Sequence, residues 1–181
     1  GIGVSTATRY GQLLSNQLKL QASFLTKPSS SIAWAADQIL RSDIRPNDIV
    51  VWGLTSHART FRFEKDIVKH LTATHTELDK HTLDFLTSDH LIYQSLTNIF
   101  QVINFCQKAK ATLVLASLMD DCIVNYIQDC PNLIMLCKFW GRDIESMYID
   151  VGSDNQHPGV KTHEFYADQI YKKIQSLIAS K

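Results

Sequence analysis

The residues best placed to do chemistry are Asp154 and His157, in the run Asp154-Asn155-Gln156-His157-Pro158-Gly159. A carboxylate three residues ahead of a histidine, in a tight loop, can reach the imidazole ring. There it fixes the tautomer and stabilises the imidazolium formed when the ring acts as general base. Pro158 and Gly159 shape the turn that follows. The plainer reading is a solvated loop whose Asp and His cap the next helix. A second polar group, Thr55-Ser56-His57-Ala58-Arg59, follows an apolar run. Arg59 carries a planar fork suited to a carboxylate or phosphate, or is a solvated loop charge. Asp120 and Asp121 are adjacent and do not converge on a helix, so they read as a cap. His70, His75, His81 and His90 lack metal-ligand spacing, and Cys106, Cys122, Cys130 and Cys137 form no CxxC. The chain has neither GxGxxG nor GxxxxGK[ST], so no metal or nucleotide cofactor is expected.

These groups need elements to hold them. Tyr10, Leu13, Leu14 and Leu18 recur at helical spacing and predict a first helix from about Thr8. Ala22 to Leu25 reads as a short strand. Pro28-Ser29-Ser30-Ser31 offers N-caps for a second helix carrying Ile32, Ala36, Ile39 and Leu40. Ile49 to Leu54 is a continuous apolar run, as in a strand of a parallel sheet buried on both faces. A polar stretch with helical patches spans Phe61 to Asp89, and a long helix follows with Ile92, Leu96, Ile99, Ile103 and Cys106 as its stripe. Ala111 to Ala116 is a second buried strand. A short helix at Cys122 to Ile127, a weaker strand at Leu133 to Leu136 and an extended segment at Tyr148 to Val151 come next. Tyr166, Ile170, Ile174, Leu177 and Ile178 define a final helix. Trp34, Trp52 and Trp140 read as core. This alternation predicts one α/β domain, a three-layer α/β/α sandwich with a mostly parallel sheet. Ligands of such sheets bind beyond the carboxyl ends of the strands, where the Thr55 and Asp154 loops fall.

Asp154-x-x-His157-Pro158, followed by His163 and an amphipathic helix, resembles the last conserved block of the SGNH (GDSL) hydrolases. The resemblance implies a Ser–His–Asp triad with Asp154 as its acid and His157 as its base. His163 falls at the block's later, non-catalytic histidine. Asp48 to Thr55 is similar to the family's third block, a strand running into Gly-x-Asn. Gly53 matches, and Thr55 stands where the oxyanion-binding Asn usually is. Lys27 to Ile32 looks like the second block, with Ser29 in place of the glycine whose N–H serves the oxyanion hole. Gly1-Ile2-Gly3-Val4 resembles the loop just after the nucleophile, and Arg9 to Leu14 the helix beyond it. The family's first strand and Gly-x-Ser turn are then expected immediately before Gly1, and Ser5 is the only nearby serine in the sequence. The resemblance implies a serine esterase or acyltransferase acting on a small acylated substrate, such as an acetylated sugar.

Composition narrows the alternatives. The chain has 181 residues, 45% hydrophobic and 20% charged, suiting one globular domain that buries roughly 70% of its unfolded surface. Lys+Arg and Asp+Glu are both 18, so the formal charge is zero. The basic excess of a nucleic-acid binder is absent. No apolar run approaches the roughly 20 residues of a membrane span, and no signal-peptide pattern opens the chain. The cysteines read as mostly buried thiols in a reducing, cytoplasmic setting, with a Cys122–Cys130 bridge as the lesser alternative. Two rivals to the esterase stay open: a non-catalytic binding or scaffold protein on the same fold, and a flavodoxin-like domain binding a phosphorylated ligand at a helix N-terminus. Oligomeric state is not legible from the sequence.

Overall fold

The computed structural model describes residues 4–27, 30–64, 67–72, 88–118, 122–136, 148–155 and 157–180. A 3-10 turn at Thr6–Thr8 leads into α1 (Tyr10–Leu18), and α2 (Ile32–Leu40) precedes β1 (Ile49–Leu54). The hairpin strands β2 (Arg59–Glu64) and β3 (Ile67–Thr72) come before α3 (Ser88–Ala109) and β4 (Thr112–Ser117). A second 3-10 turn, Cys122–Tyr126, then β5 (Leu133–Met135) and α4 (Val160–Ala179) complete the order.

The fold is α/β, built on an open three-stranded sheet of order β1-β4-β5. Its pairings are parallel, Ile49 opposite Thr112 through Leu54 opposite Ser117, and Leu115 opposite Leu133 through Ser117 opposite Met135. Parallel neighbours need crossovers: α3 lies between β1 and β4 in the chain, and the second 3-10 turn between β4 and β5. Side chains alternate across β4. Leu113 and Leu115 join Trp52, Leu54 and the stripes of α2 and α3 in one apolar cluster. Val114 and Ala116 join Leu14 of α1 and Tyr166, Ala167, Ile170 and Ile174 of α4 in another. Burying both faces explains the unbroken apolar run from Leu113 to Ala116 in β4.

Local chemistry sets the helix ends. The Ser31 hydroxyl accepts the Trp34 N–H at 3.1 Å, so Ser31 is the N-cap of α2. α1 stops at Lys19, in the left-handed region at φ 55°, and the Leu20 N–H returns to the Ser15 carbonyl. That is a Schellman-type ending.

Three expectations are corrected. Ala22 to Leu25 is not a strand: residues 21–27 pair with no strand, and Phe24 and Leu25 are half exposed. A strand there would need a partner for its backbone groups, and among the described residues none lies beside it. The polar stretch from Phe61 to Thr72 is not helical where it is described. Residues 59–64 and 67–72 form an antiparallel hairpin, Arg59 opposite Thr72 through Glu64 opposite Ile67. Its β-branched and aromatic content favours strand over helix, and the interleaved charges hide the signal. Tyr148 to Val151, expected as an extended segment, bends at Ile149 and Asp150 and makes a ladder contact through a bridge from Val151 to Pro158. Cys106 and Cys130 are free thiols, which removes the Cys122–Cys130 bridge. Burial raises the Cys106 thiol to about 11, so it is inert at neutral pH. Cys137, Trp140, Asp120 and Asp121 lie outside the described residues. No helix among the described residues is long and apolar enough to cross a membrane.

Candidate active site

The loop from Gly152 to Gly159 is short and closed by its own backbone. The Gly152 N–H donates to the His157 carbonyl at 2.7 Å, and the Gly159 N–H to the Asp150 carbonyl at 2.9 Å. The Asn155 N–H returns to the Gly152 carbonyl at 3.0 Å. Asn155 takes φ 54°, a left-handed conformation that asparagine tolerates better than most residues.

This backbone presents Asp154 to His157. One Asp154 oxygen accepts the His157 backbone N–H at 3.1 Å, and the other lies 2.7 Å from His157 Nδ1. An ionised carboxylate can only accept. Nδ1 therefore carries the ring proton, and Nε2 keeps a lone pair. The His157 side chain is 41% exposed and that of Asp154 26%, so a reactant can approach the ring. The pair has the arrangement of a general base with its orienting acid.

Between Asp150 and the start of α4, a second set of polar groups is closed. Asp150 caps α4 from outside the helix: its oxygens accept the Lys161 N–H at 3.1 Å and the Thr162 N–H at 2.8 Å. The Thr162 hydroxyl lies 2.9 Å from both the carbonyl and a carboxylate oxygen of Asp150, and accepts the Asp150 N–H at 3.0 Å. Burial opposes ionisation of Asp150, but the hydrogen bonds from Thr162 and Lys161 outweigh it and hold its carboxyl below the usual range. Gly159 is needed for space. A Cβ there would stand 2.5 Å from the Asp150 carboxyl carbon and 2.7 Å from the Val151 carbonyl.

His163, in the first turn of α4, is only 3% exposed. Its Nδ1 accepts the Tyr10 N–H at 3.3 Å, and the two rings stack at 5.9 Å. Burial first, then neighbouring positive charge that includes Arg9, lowers its pKa to about 4. Burial also raises the Tyr10 phenol. Tyr10 reaches the sheet as well: a Cβ on Gly53 would lie 3.1 Å from the Tyr10 hydroxyl and 3.0 Å from Leu118. The starts of α1 and α4 and the carboxyl end of β1 thus meet around Tyr10.

No family model matches this chain. No curated protein and no solved structure is significantly similar to it either.

Of the residues singled out in the sequence, Asp154 and His157 are brought together directly. Gly53 and Thr55 stand at the carboxyl end of β1, where Thr55 Oγ1 is buried with no hydrogen-bond partner among the described residues. Arg59 opens β2, its backbone N–H bonded to the Ser56 carbonyl. Ser5 is exposed, its hydroxyl paired with Thr8 at 3.0 Å, and no hydrogen bond joins it to His157. Ser29 lies outside the described residues. No group of three or more His, Cys, Asp or Glu among the described residues is placed to hold a metal. A hollow of about 380 Å³ lined by Asn47, Gln107, Lys110 and Ala111 sits at the amino ends of β1 and β4, away from these loops. Sequence reasoning passed over Asp150, whose partners are eleven and twelve residues away. The signal open to it was an Asp just ahead of a glycine-rich turn into a helix lacking its own N-cap side chain.

Proposed function

We propose that this protein is a serine esterase of SGNH type, a three-layer α/β/α domain that hydrolyses a small acylated substrate. The observation that carries this reading is the 2.7 Å contact between Asp154 and His157 Nδ1, which leaves Nε2 as the proton acceptor. In the proposed reaction a serine hydroxyl attacks the ester carbonyl while Nε2 of His157 takes its proton. Asp154 holds the ring and stabilises the imidazolium. Thr55, whose buried hydroxyl has no partner among the described residues, donates to the developing oxyanion together with backbone N–H groups near Ser29. The tetrahedral intermediate collapses, His157 gives its proton to the leaving alcohol, and water releases the acyl group by the same steps in reverse order. Arg59 contributes a cation beside the substrate.

Ser5 engages Thr8 rather than His157. The outer edge of β1 has no paired strand among the described residues, and a further parallel strand there would end beside Gly53 and Tyr10. We place the reactive serine at the end of such a strand. The free Cys106 and Cys130 thiols support a cytoplasmic, reducing setting.

The test is covalent labelling of the full-length protein by a fluorophosphonate, with the adduct mapped by peptide mass spectrometry. The proposal expects one labelled serine, and loss of labelling in His157→Ala. Absence of labelling in a folded protein that still binds acylated ligands would favour a non-catalytic binding role. The pairing of Ser5 with Thr8 and the Thr at position 55 are what favour that second reading.

A further inference from the structure

A buried histidine on the first turn of a helix is an expensive choice unless its ring nitrogens are used. At His163 one is. Tyr10 is the first residue of α1, and its N–H is among the donors that a helix cannot satisfy internally. No side chain at the preceding Arg9 caps it. The acceptor comes instead from another helix: Nδ1 of His163, 3.3 Å away. Because Nδ1 accepts, the neutral ring carries its proton on Nε2. Tyr10 stacks on one face of the imidazole, and Tyr166 meets it edge-on with ring centroids 6.3 Å apart.

We infer that His163 is a positioning residue: its Nδ1 clasps the start of α1 to the start of α4, and protonation of the ring opens the clasp. A protonated imidazole donates from both nitrogens, so it cannot accept the Tyr10 N–H. It would also place a cation against that N–H and near the Arg9 guanidinium. Among the described residues, the groups facing the ring are Tyr10 and Arg9 from α1 and its entry, Tyr166 from α4, and Asp150 from the preceding loop. Arg9 opposes protonation and Asp150 favours it. Tyr10 in turn touches the end of β1 through Gly53, so the clasp sets how α1 meets the sheet. The inference stands on this geometry and does not require the esterase reading.

The experiment is nitrogen-15 NMR of the intact chain with amide exchange. At pH 7 the His163 ring should be the Nε2–H tautomer, and the Tyr10 amide should be protected. His163→Phe keeps an aromatic ring but removes the acceptor, and Tyr10 protection should fall roughly 3- to 10-fold, the scale of one hydrogen bond. His163→Asn returns an acceptor near Nδ1 and should recover part of it. In the wild type, Tyr10 protection should drop along the same titration curve as the His163 ring, near pH 4. An Nδ1–H tautomer at pH 7, which the unaltered chain reports whatever the variants do, would overturn the inference. So would a Tyr10 amide as protected in His163→Phe as in the wild type.

Discussion

His157 and His163 stand six residues apart and face opposite fates. His163 is buried, accepts a backbone N–H, stacks on Tyr10 and resists protonation down to about pH 4. His157 is part exposed and meets a carboxylate through Nδ1. Their aspartates differ in the same way. Asp150 gives its oxygens to the N–H groups and hydroxyl that begin α4. Asp154 gives one oxygen to a backbone N–H and the other to a ring that can exchange protons with solvent. The difference shows that residue type does not decide which histidine can do acid–base chemistry. What decides is whether the second nitrogen is accessible and whether the first is held by an acceptor.

If the Asp150–His163 side is structural and the Asp154–His157 side chemical, substitutions should separate stability from activity. The largest stability effect is expected for Gly159→Ala, whose new methyl meets the pinned Asp150 carboxylate and the Val151 carbonyl. It should cost about 1–3 kcal/mol in chemical denaturation, and a neutral result would show that the loop can relax. Next comes acid. The unfolded chain protonates His163 near its ordinary 6.5, while the folded ring holds out to about 4. Unfolded chains therefore bind more protons in this window, and stability falls as pH drops from about 6.5 to about 4. Below that, Asp150, held under the usual carboxylate range, adds a further loss as it protonates. His163→Phe should flatten the first part of the profile, and an unchanged profile would mean another group governs it. The smallest effect is expected at the open pair. His157→Ala should change stability by no more than about 0.5 kcal/mol, and a loss above about 2 kcal/mol would recast Asp154 and His157 as a structural cap.

Much of this layout is legible in the residues. The stripes of α1, α2, α3 and α4 emerge from spacing, and the loop holding His157 can be placed from Pro158, Gly159 and the helix beyond. β1 and β4 read alike as apolar runs, yet all six residues of β4 are buried and in β1 only Trp52 and Leu54 are. The reason is position: among the described residues β4 lies between two strands and β1 beside one, and a run of hydrophobic residues carries no record of how many neighbours it has. The β2–β3 hairpin stayed hidden because charges interrupt its period. The Asp150 cap stayed hidden because capping is usually sought at the residue next to the helix. Pairing of Asp154 with His157 could be anticipated because it is local, whereas the His163–Tyr10 contact spans 153 positions and no spacing rule reaches that far.

The most direct test of the central claim is hydrolysis of short aryl acetates by the full-length protein, comparing wild type, Asp154→Ala and His157→Ala. The account predicts turnover in the wild type, with kcat/KM lower by about 10²- to 10⁴-fold in each variant while both stay folded. Equal rates in wild type and His157→Ala would contradict it.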